Sequence, residues 1–108
     1  MNFYNFKLTP KKLKKAISKK TKWIILNSPS NPTGSAYTKD EIISLSKILL
    51  KYKKTYILSD DIYEHIIYDN FKFFTIAQID KLKKRTLTMN GVSKSYSMTG
   101  WRIGYAAG

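Results

Sequence analysis

The sequence predicts an α/β fold with a mostly parallel sheet and crossover helices. Residues 22–27 (KWIILN) and 55–59 (TYILS) are short β-prone runs bounded by turn residues, and a helical pattern lies between them. The order strand, helix, strand indicates a right-handed crossover with parallel pairing. The length of 108 residues and the 43% hydrophobic content allow one packed unit, so we expect residues 1–108 to form one domain at most.

Threonine caps mark the starts of two helices. Thr9 followed by Pro10 predicts a short surface helix, because threonine caps helices and proline suits the first helical position. Thr38 and Glu41 form a capping-box pattern, which predicts a second helix ending near Lys54. The apolar faces of the two helices are expected to contain Leu13, Ala16 and Ile17 in the first, and Ile42, Leu45, Leu49 and Tyr52 in the second.

The second half of the chain has weaker patterns. Residues 63–74 are rich in aromatic side chains without a clear period, and residues 75–82 are compatible with a short helix. A third strand is expected at residues 85–89 and a fourth at residues 102–107, with a loop at residues 90–97 between them.

The composition limits the classes of function. The net charge of +13 raises the possibility of a small basic nucleic-acid-binding module, but 18 of the 20 basic residues are lysines, which favours a solvated surface. Without cysteine there is no disulfide framework or thiolate metal site, and we expect the lone His65 to be structural, with no metal. The chain has no secretory signal and no apolar run of membrane-spanning length, so we expect it to be cytoplasmic, with no membrane partner.

Polar residues follow the predicted strands, where parallel α/β sheets bind ligands. Each has an ordinary alternative explanation, such as a turn, a helix cap, a packing ring or one more surface lysine. The candidates are Asn31 after the first strand, Asp60 and Tyr63 after the second, Ser93 and Lys94 after the third, and Arg102, eight residues later, at the start of the fourth.

Taken together, four motifs resemble those of one enzyme family. The series is Asn31-Pro32-Thr33-Gly34, Asp60-Asp61-Ile62-Tyr63, Ser93-Lys94 and Gly100-Trp101-Arg102-Ile103-Gly104. In order and approximate spacing it resembles the pyridoxal-5'-phosphate-dependent class I aminotransferases, and most closely their bacterial aspartate aminotransferase branch. The resemblance runs from about residue 6 to residue 108 and implies the central part of the large, cofactor-binding domain of a fold-type I transferase.

The resemblance also implies a role for each candidate. Lys94 would form the Schiff base (aldimine) with the cofactor and act as the proton-transferring base. Asp60 would keep the pyridine nitrogen protonated. Asn31 and Tyr63 would donate hydrogen bonds to the ring oxygen, with Asn31 also near the substrate. Arg102 would bind the phosphate. Gly91 stands where some members carry a phosphate-binding hydroxyl, so the candidate substitutes are Ser93 or the backbone amides of the loop.

The implied reaction is transfer of an amino group between an amino acid, such as aspartate, and a 2-oxo acid. The family also implies a homodimer and no nucleic-acid partner. Three features of the family cannot be located in this sequence. They are the Gly-rich loop that binds the phosphate, the aromatic residue that stacks on the ring and the arginine that binds the substrate carboxylate. The isolated chain is therefore expected to be incomplete and inactive, and the alternative is a non-catalytic, truncated remnant of such an enzyme.

Overall fold

A computed structural model describes residues 6–108. The helices are α1 (Pro10–Ala16), α2 (Lys39–Leu49), α3 (Asp80–Lys83) and α4 (Val92–Ser95), with 3₁₀ turns at Ile76–Gln78 and Thr99–Trp101. The strands are β1 (Trp23–Asn27), β2 (Tyr56–Asp60), β3 (Thr86–Gly91) and β4 (Gly104–Ala107).

The four strands form one sheet in the order β1-β2-β3-β4. The pairs β1-β2 and β2-β3 are parallel, whereas β3 and β4 are antiparallel. Because α2 connects two neighbouring parallel strands, it is the predicted crossover helix. The α/β class and the mostly parallel sheet are therefore confirmed.

Both predicted helix starts are confirmed. The Thr9 hydroxyl accepts a hydrogen bond from the Lys12 amide at 3.3 Å, and Pro10 is the first helical residue. At α2 the capping box is complete: Glu41 N donates to the Thr38 hydroxyl at 3.3 Å and Thr38 N donates to Glu41 Oε2 at 2.8 Å. The same carboxylate accepts from Lys7 Nζ at 2.8 Å, which ties the segment before α1 to the start of α2.

The prediction that the second helix ends near Lys54 was wrong, because α2 ends at Leu49. The Arg85 guanidinium donates to the carbonyl oxygen of Leu49 at 2.7 Å and to those of Tyr52, at 3.1 Å, and Thr55. A positive charge that binds the last carbonyls stabilises the helix end at this point. Arg85 directly precedes β3, so this end is set by a residue distant in sequence.

The later elements differ from the prediction in three ways. The predicted helix at residues 75–82 is a 3₁₀ turn and α3, separated by Ile79 in an extended conformation. The predicted loop at residues 90–97 contains the end of β3 and the short helix α4. Strand β4 starts at Gly104 rather than Arg102, because Arg102 has left-handed dihedrals (φ 55°, ψ 36°) that do not fit a strand.

The hydrophobic core lies on one side of the sheet. The predicted helical stripes are buried there except for Ala16, which is exposed, and Tyr52, which is half-buried. The core residues include Leu13, Ile17, Leu26, Ile42, Leu45, Leu49 and Ile57. On the other side Trp23 and Tyr56 pack ring against ring at 5.2 Å but stay about half exposed, and Ile25, Leu87 and Met89 are also exposed. This second face is uncovered in the described chain, whereas parallel sheets are normally covered on both faces.

Candidate active site

The sequence-predicted residues lie on segments that meet at one edge of the sheet. The register pairs Asn27 with Asp60, Asp60 with Met89, and Gly91 with Gly104. Strands β1, β2 and β3 therefore end at the edge where β4 begins. Because β4 is antiparallel, Arg102 reaches this edge although it precedes its strand, whereas the other candidates follow theirs.

The Asn27 side chain connects the loop after β1 to the end of β2. Its Nδ2 donates to the Asp60 carbonyl at 3.2 Å, and its Oδ1 accepts from the Asn31 amide at 3.2 Å. The Asn31 side chain itself is exposed. Asn27 was not among the predicted site residues, although a polar residue that ends an apolar strand is a recognisable signal.

The loop after β1 contains two cis peptide bonds and one glycine with a positive φ. Both its X-Pro bonds, Ser28-Pro29 and Asn31-Pro32, are cis, and Gly34 has a φ of 68°. Gly34 N donates to the Ser30 carbonyl at 2.8 Å, and Ser30 N donates to that of Ser35 at 3.0 Å. Glycine adopts this positive φ without strain, which explains the residue type at Gly34.

The two aspartates after β2 have different surroundings. Asp60 is half-buried and accepts from the Ile62 amide at 3.3 Å. Asp61 is buried, with 3% of its surface exposed, and accepts from the Ser59 hydroxyl at 2.8 Å. Burial raises the pKa of Asp61, hydrogen bonds from Thr75 and Ser59 oppose the rise, and the negative charges of Glu64 and Asp60 add to it.

Tyr63 lies in the turn that follows the aspartates. It is half-buried, and its carbonyl accepts from the Ile66 amide at 2.8 Å. The neighbouring Glu64 accepts from the buried Asn90 side chain at 2.6 Å. Neither Glu64 nor Asn90 was singled out from the sequence, because each is an ordinary polar residue until the fold brings them together.

Lys94 lies on α4, directly beyond β3, and its side chain is exposed. The Ser93 carbonyl accepts from the Thr99 hydroxyl at 3.2 Å. Next to Lys94, the buried Ser95 hydroxyl has no hydrogen-bond partner among the residues that the structure describes.

Arg102 has a left-handed backbone conformation and is not buried. Its side chain is exposed, and its Nη1 donates weakly, at 3.4 Å, to the Thr99 carbonyl. Thr99 thus contacts both the α4 segment and Arg102. The neighbouring Trp101 does not pack under the site loop, because 68% of its surface is exposed.

Gly91 ends β3 close to the backbone at the start of β4. A Cβ at this position would lie 3.0 Å from the Ile103 carbonyl oxygen and 3.3 Å from the Gly104 Cα. Its φ of −176° is ordinary extended backbone, so space rather than conformational freedom explains the glycine. A side chain at position 91 would require the backbone at Ile103 and Gly104 to shift by a few tenths of an ångström.

The candidates share an edge but do not bond to one another. Within residues 6–108, no hydrogen bond joins the side chains of Asn31, Asp60, Tyr63, Ser93, Lys94 and Arg102. The same residues contain no group of three or more His, Asp or Glu side chains that could hold a metal ion. No helix in the described part of the chain is long and apolar enough to cross a membrane.

Comparison with known proteins identifies similar chains. The family model described as "Aminotransferase class I and II" matches residues 1–108. The "Probable aspartate/prephenate aminotransferase" of Rickettsia conorii is 60% identical over 105 residues, which cover 96% of this chain and 26% of the relative. The "Aspartate/prephenate aminotransferase" of Cereibacter sphaeroides is 60% identical over 104 residues, covering 95% of this chain and 26% of that relative.

Solved structures have the same fold. The crystal structure of the Rhizobium meliloti aspartate aminotransferase matches with a TM-score of 0.93 and 56% identity, covering 95% of this chain and 26% of that one. An aromatic aminotransferase from Pyrococcus horikoshii matches with a TM-score of 0.90 and 41% identity, over 95% and 27% of the two chains. The chain spans about a quarter of the length of these relatives.

Proposed function

The chain belongs to the class I and II aminotransferases, and we propose that it forms part of the cofactor-binding domain of a pyridoxal-phosphate-dependent aminotransferase. The observation that carries the proposal is the convergence of four motif-bearing segments on one sheet edge. The proposed reaction moves an amino group from an amino acid, such as aspartate, to a 2-oxo acid. The names of the relatives from Rickettsia conorii and Cereibacter sphaeroides support this substrate class.

The side chains at this edge suit each chemical feature of pyridoxal phosphate. An amine (Lys94) can bond to an aldehyde, a carboxylate (Asp60) can pair with a pyridinium, and a guanidinium (Arg102) can bind a phosphate. Tyr63 and Asn31 add a phenol and an amide for the ring oxygen. When bound, pyridoxal phosphate supplies an electron sink for the electrons left by removal of the Cα proton.

In the proposed mechanism Lys94 has two tasks. Its Nζ would hold the cofactor through the aldehyde carbon, and as a free amine it would take up the proton from the substrate Cα. Lys94 is exposed on a one-turn helix and makes no side-chain hydrogen bond in the described chain, so its amine is free to move between these tasks.

The remaining residues bind and orient. The negative charge of Asp60 holds a proton on the ring nitrogen, which suits a half-buried carboxylate whose position is fixed by the Asn27 contact to its backbone. Asn31 and Tyr63 would donate hydrogen bonds to the ring oxygen, and Asn31 would also contact the substrate. Arg102 and Ser93 would bind the phosphate, and Ser93 would take the role that Gly91, without a side chain, cannot fill.

The assembled enzyme is proposed to be a cytoplasmic homodimer. The alternative is a non-catalytic remnant of such an enzyme. The two possibilities share every motif. They differ in whether the chain binds the cofactor.

A spectroscopic titration tests the proposal. The purified chain is titrated with pyridoxal phosphate and compared with Lys94→Ala and with Lys84→Ala, which removes another exposed lysine. A saturable visible absorbance band in the wild type and in Lys84→Ala, but not in Lys94→Ala, supports the enzyme segment. An equal, unsaturable response in all three chains favours the remnant.

A further inference from the structure

A hydrogen bond between two side chains joins the segment of Tyr63 to the segment of Lys94. Asn90 Nδ2 donates to Glu64 Oε1 at 2.6 Å, and Asn90 Oδ1 accepts from the Gly91 amide at 2.7 Å. Asn90 is 7% exposed, and the Glu64 side chain is 26% exposed. A short hydrogen bond to a carboxylate that is partly shielded from solvent is stronger than one between neutral groups. We refer to it as the Glu64–Asn90 link.

The link lies where the sheet no longer holds the two segments together. The last backbone bond between them runs from the Asp61 amide to the Met89 carbonyl, at 2.9 Å. Beyond it the chain turns away through Tyr63 on one side and into α4 on the other. Within residues 6–108, the Glu64–Asn90 link is the only hydrogen bond that joins residues 61–66 to residues 90–96 through side chains.

The two segments also touch beyond the link. The His65 ring meets the Tyr96 ring edge-on at 6.5 Å between centroids, and within its own segment His65 Nε2 lies 3.4 Å from Glu64 Oε1. Both rings are largely exposed, so the ring contact is weaker than the Glu64–Asn90 link. Contacts of Glu64 and His65 with Asn90 and Tyr96 therefore bracket Lys94 on both sides in sequence.

From these contacts we propose that Glu64 and Asn90 are positioning residues, which hold the Tyr63 turn in a fixed place relative to the strand end that leads into Lys94. The inference rests on the proposed function, because it gives Tyr63 and Lys94 a shared ligand. A phenol and an amine that act on one small ring must be held to within a fraction of an ångström. Neither residue is proposed to touch the cofactor.

A pair of exchangeable variants isolates the link. N90D removes the donor but keeps an acceptor for the Gly91 amide, and it places two carboxylates together. E64Q keeps an acceptor for Asn90. In E64Q/N90D the introduced amide can donate to the introduced carboxylate, so the bond is restored in reverse with the net charge of the wild type. N70D is the matched control, because Asn70 is exposed and lies outside both segments.

The first measurement needs no cofactor. Amide hydrogen exchange is followed in residues 61–66 and 90–96, with α2 as an internal reference for global unfolding. We expect N90D to speed exchange in both segments by about tenfold or more, E64Q to change it little, and E64Q/N90D to restore it, with α2 unchanged. If N90D leaves both segments protected, or if the double variant does not restore them, the proposal is wrong.

The second measurement separates this proposal from the proposed function. Each chain is treated with pyridoxal phosphate and borohydride, and the share of label on Lys94 is measured. We expect N90D to lose several-fold of the Lys94 preference and E64Q/N90D to regain it, since labelling of other lysines does not depend on the link. If the wild type itself shows no preference for Lys94, the cofactor proposal fails, and the exchange data alone decide whether the link holds the two segments.

Discussion

Replacing Arg85 with methionine tests how the end of α2 is held. The substitution keeps most of the apolar stem and removes the guanidinium that binds the carbonyls of Leu49, Tyr52 and Thr55. Hydrogen bonds to a charged group contribute about 1.5–3 kcal/mol each to stability. Because Arg85 is only half-buried, we discount their sum and expect a loss of about 2–4 kcal/mol in the free energy of unfolding. That is a large part of the stability of a small domain.

The assay is urea unfolding followed by far-ultraviolet circular dichroism. With the usual denaturant dependence for a small protein, the loss corresponds to a midpoint lowered by roughly 1–2 M urea. Arg85→Lys retains the charge but not the planar fork of donors, so we expect an intermediate midpoint. Lys84→Met is the control, because the neighbouring Lys84 is exposed. If Arg85→Met and Lys84→Met have the same midpoint, the guanidinium does not hold the helix end.

Three further substitutions test other parts of the structure. Thr38→Ala removes the α2 cap and should cost about 1 kcal/mol of unfolding free energy in the same assay, whereas Lys47→Ala on the exposed face of α2 should cost almost nothing; equal costs would argue against the cap. Gly91→Ser should lower the free energy of unfolding by about 1–3 kcal/mol, because the new side chain crowds Ile103. Gly100→Ser should leave it unchanged, because an added Cβ there meets no atom within 4 Å. If Gly91→Ser also leaves it unchanged, the start of β4 moves to make room for the side chain. Because burial raises the folded-state pKa of Asp61 above its unfolded value, the folded chain binds this proton more readily and the contribution of Asp61 to stability falls as pH rises between the two values. Asp61→Asn should therefore gain stability relative to the wild type as the pH rises above the unfolded-state pKa of aspartate, and urea midpoints that stay parallel through this rise would contradict the assignment.

Local sequence patterns were enough to predict the elements that local chemistry defines. The caps at Thr9 and Thr38 depend on residues within one helical turn, and the structure has both. The three parallel strands follow from apolar runs and from the crossover between them. The end of α2 could not be predicted in this way, because Arg85 binds Leu49 from 36 residues away.

At the edge of the sheet, the features that the sequence did not predict also depend on contacts between residues distant in sequence. Motif order placed the candidate residues at the ends of strands, and the register brings their segments together. The sequence did not reveal the antiparallel pairing of β4, nor the left-handed backbone at Arg102 that delays the strand. The Asn27 contacts and the Glu64–Asn90 link were also missed, because both depend on tertiary neighbours.

Mapping the lysine that bonds to pyridoxal phosphate is the most direct test of the proposed role of Lys94. The purified protein is incubated with the cofactor at a low molar ratio, reduced with borohydride and digested, and the label is quantified on all 18 lysines by mass spectrometry. We expect most of the label on Lys94, and we expect Asp60→Asn or Arg102→Ala to lower this share. Label spread over the exposed lysines without preference for Lys94 would contradict the proposal that this chain assembles a cofactor site.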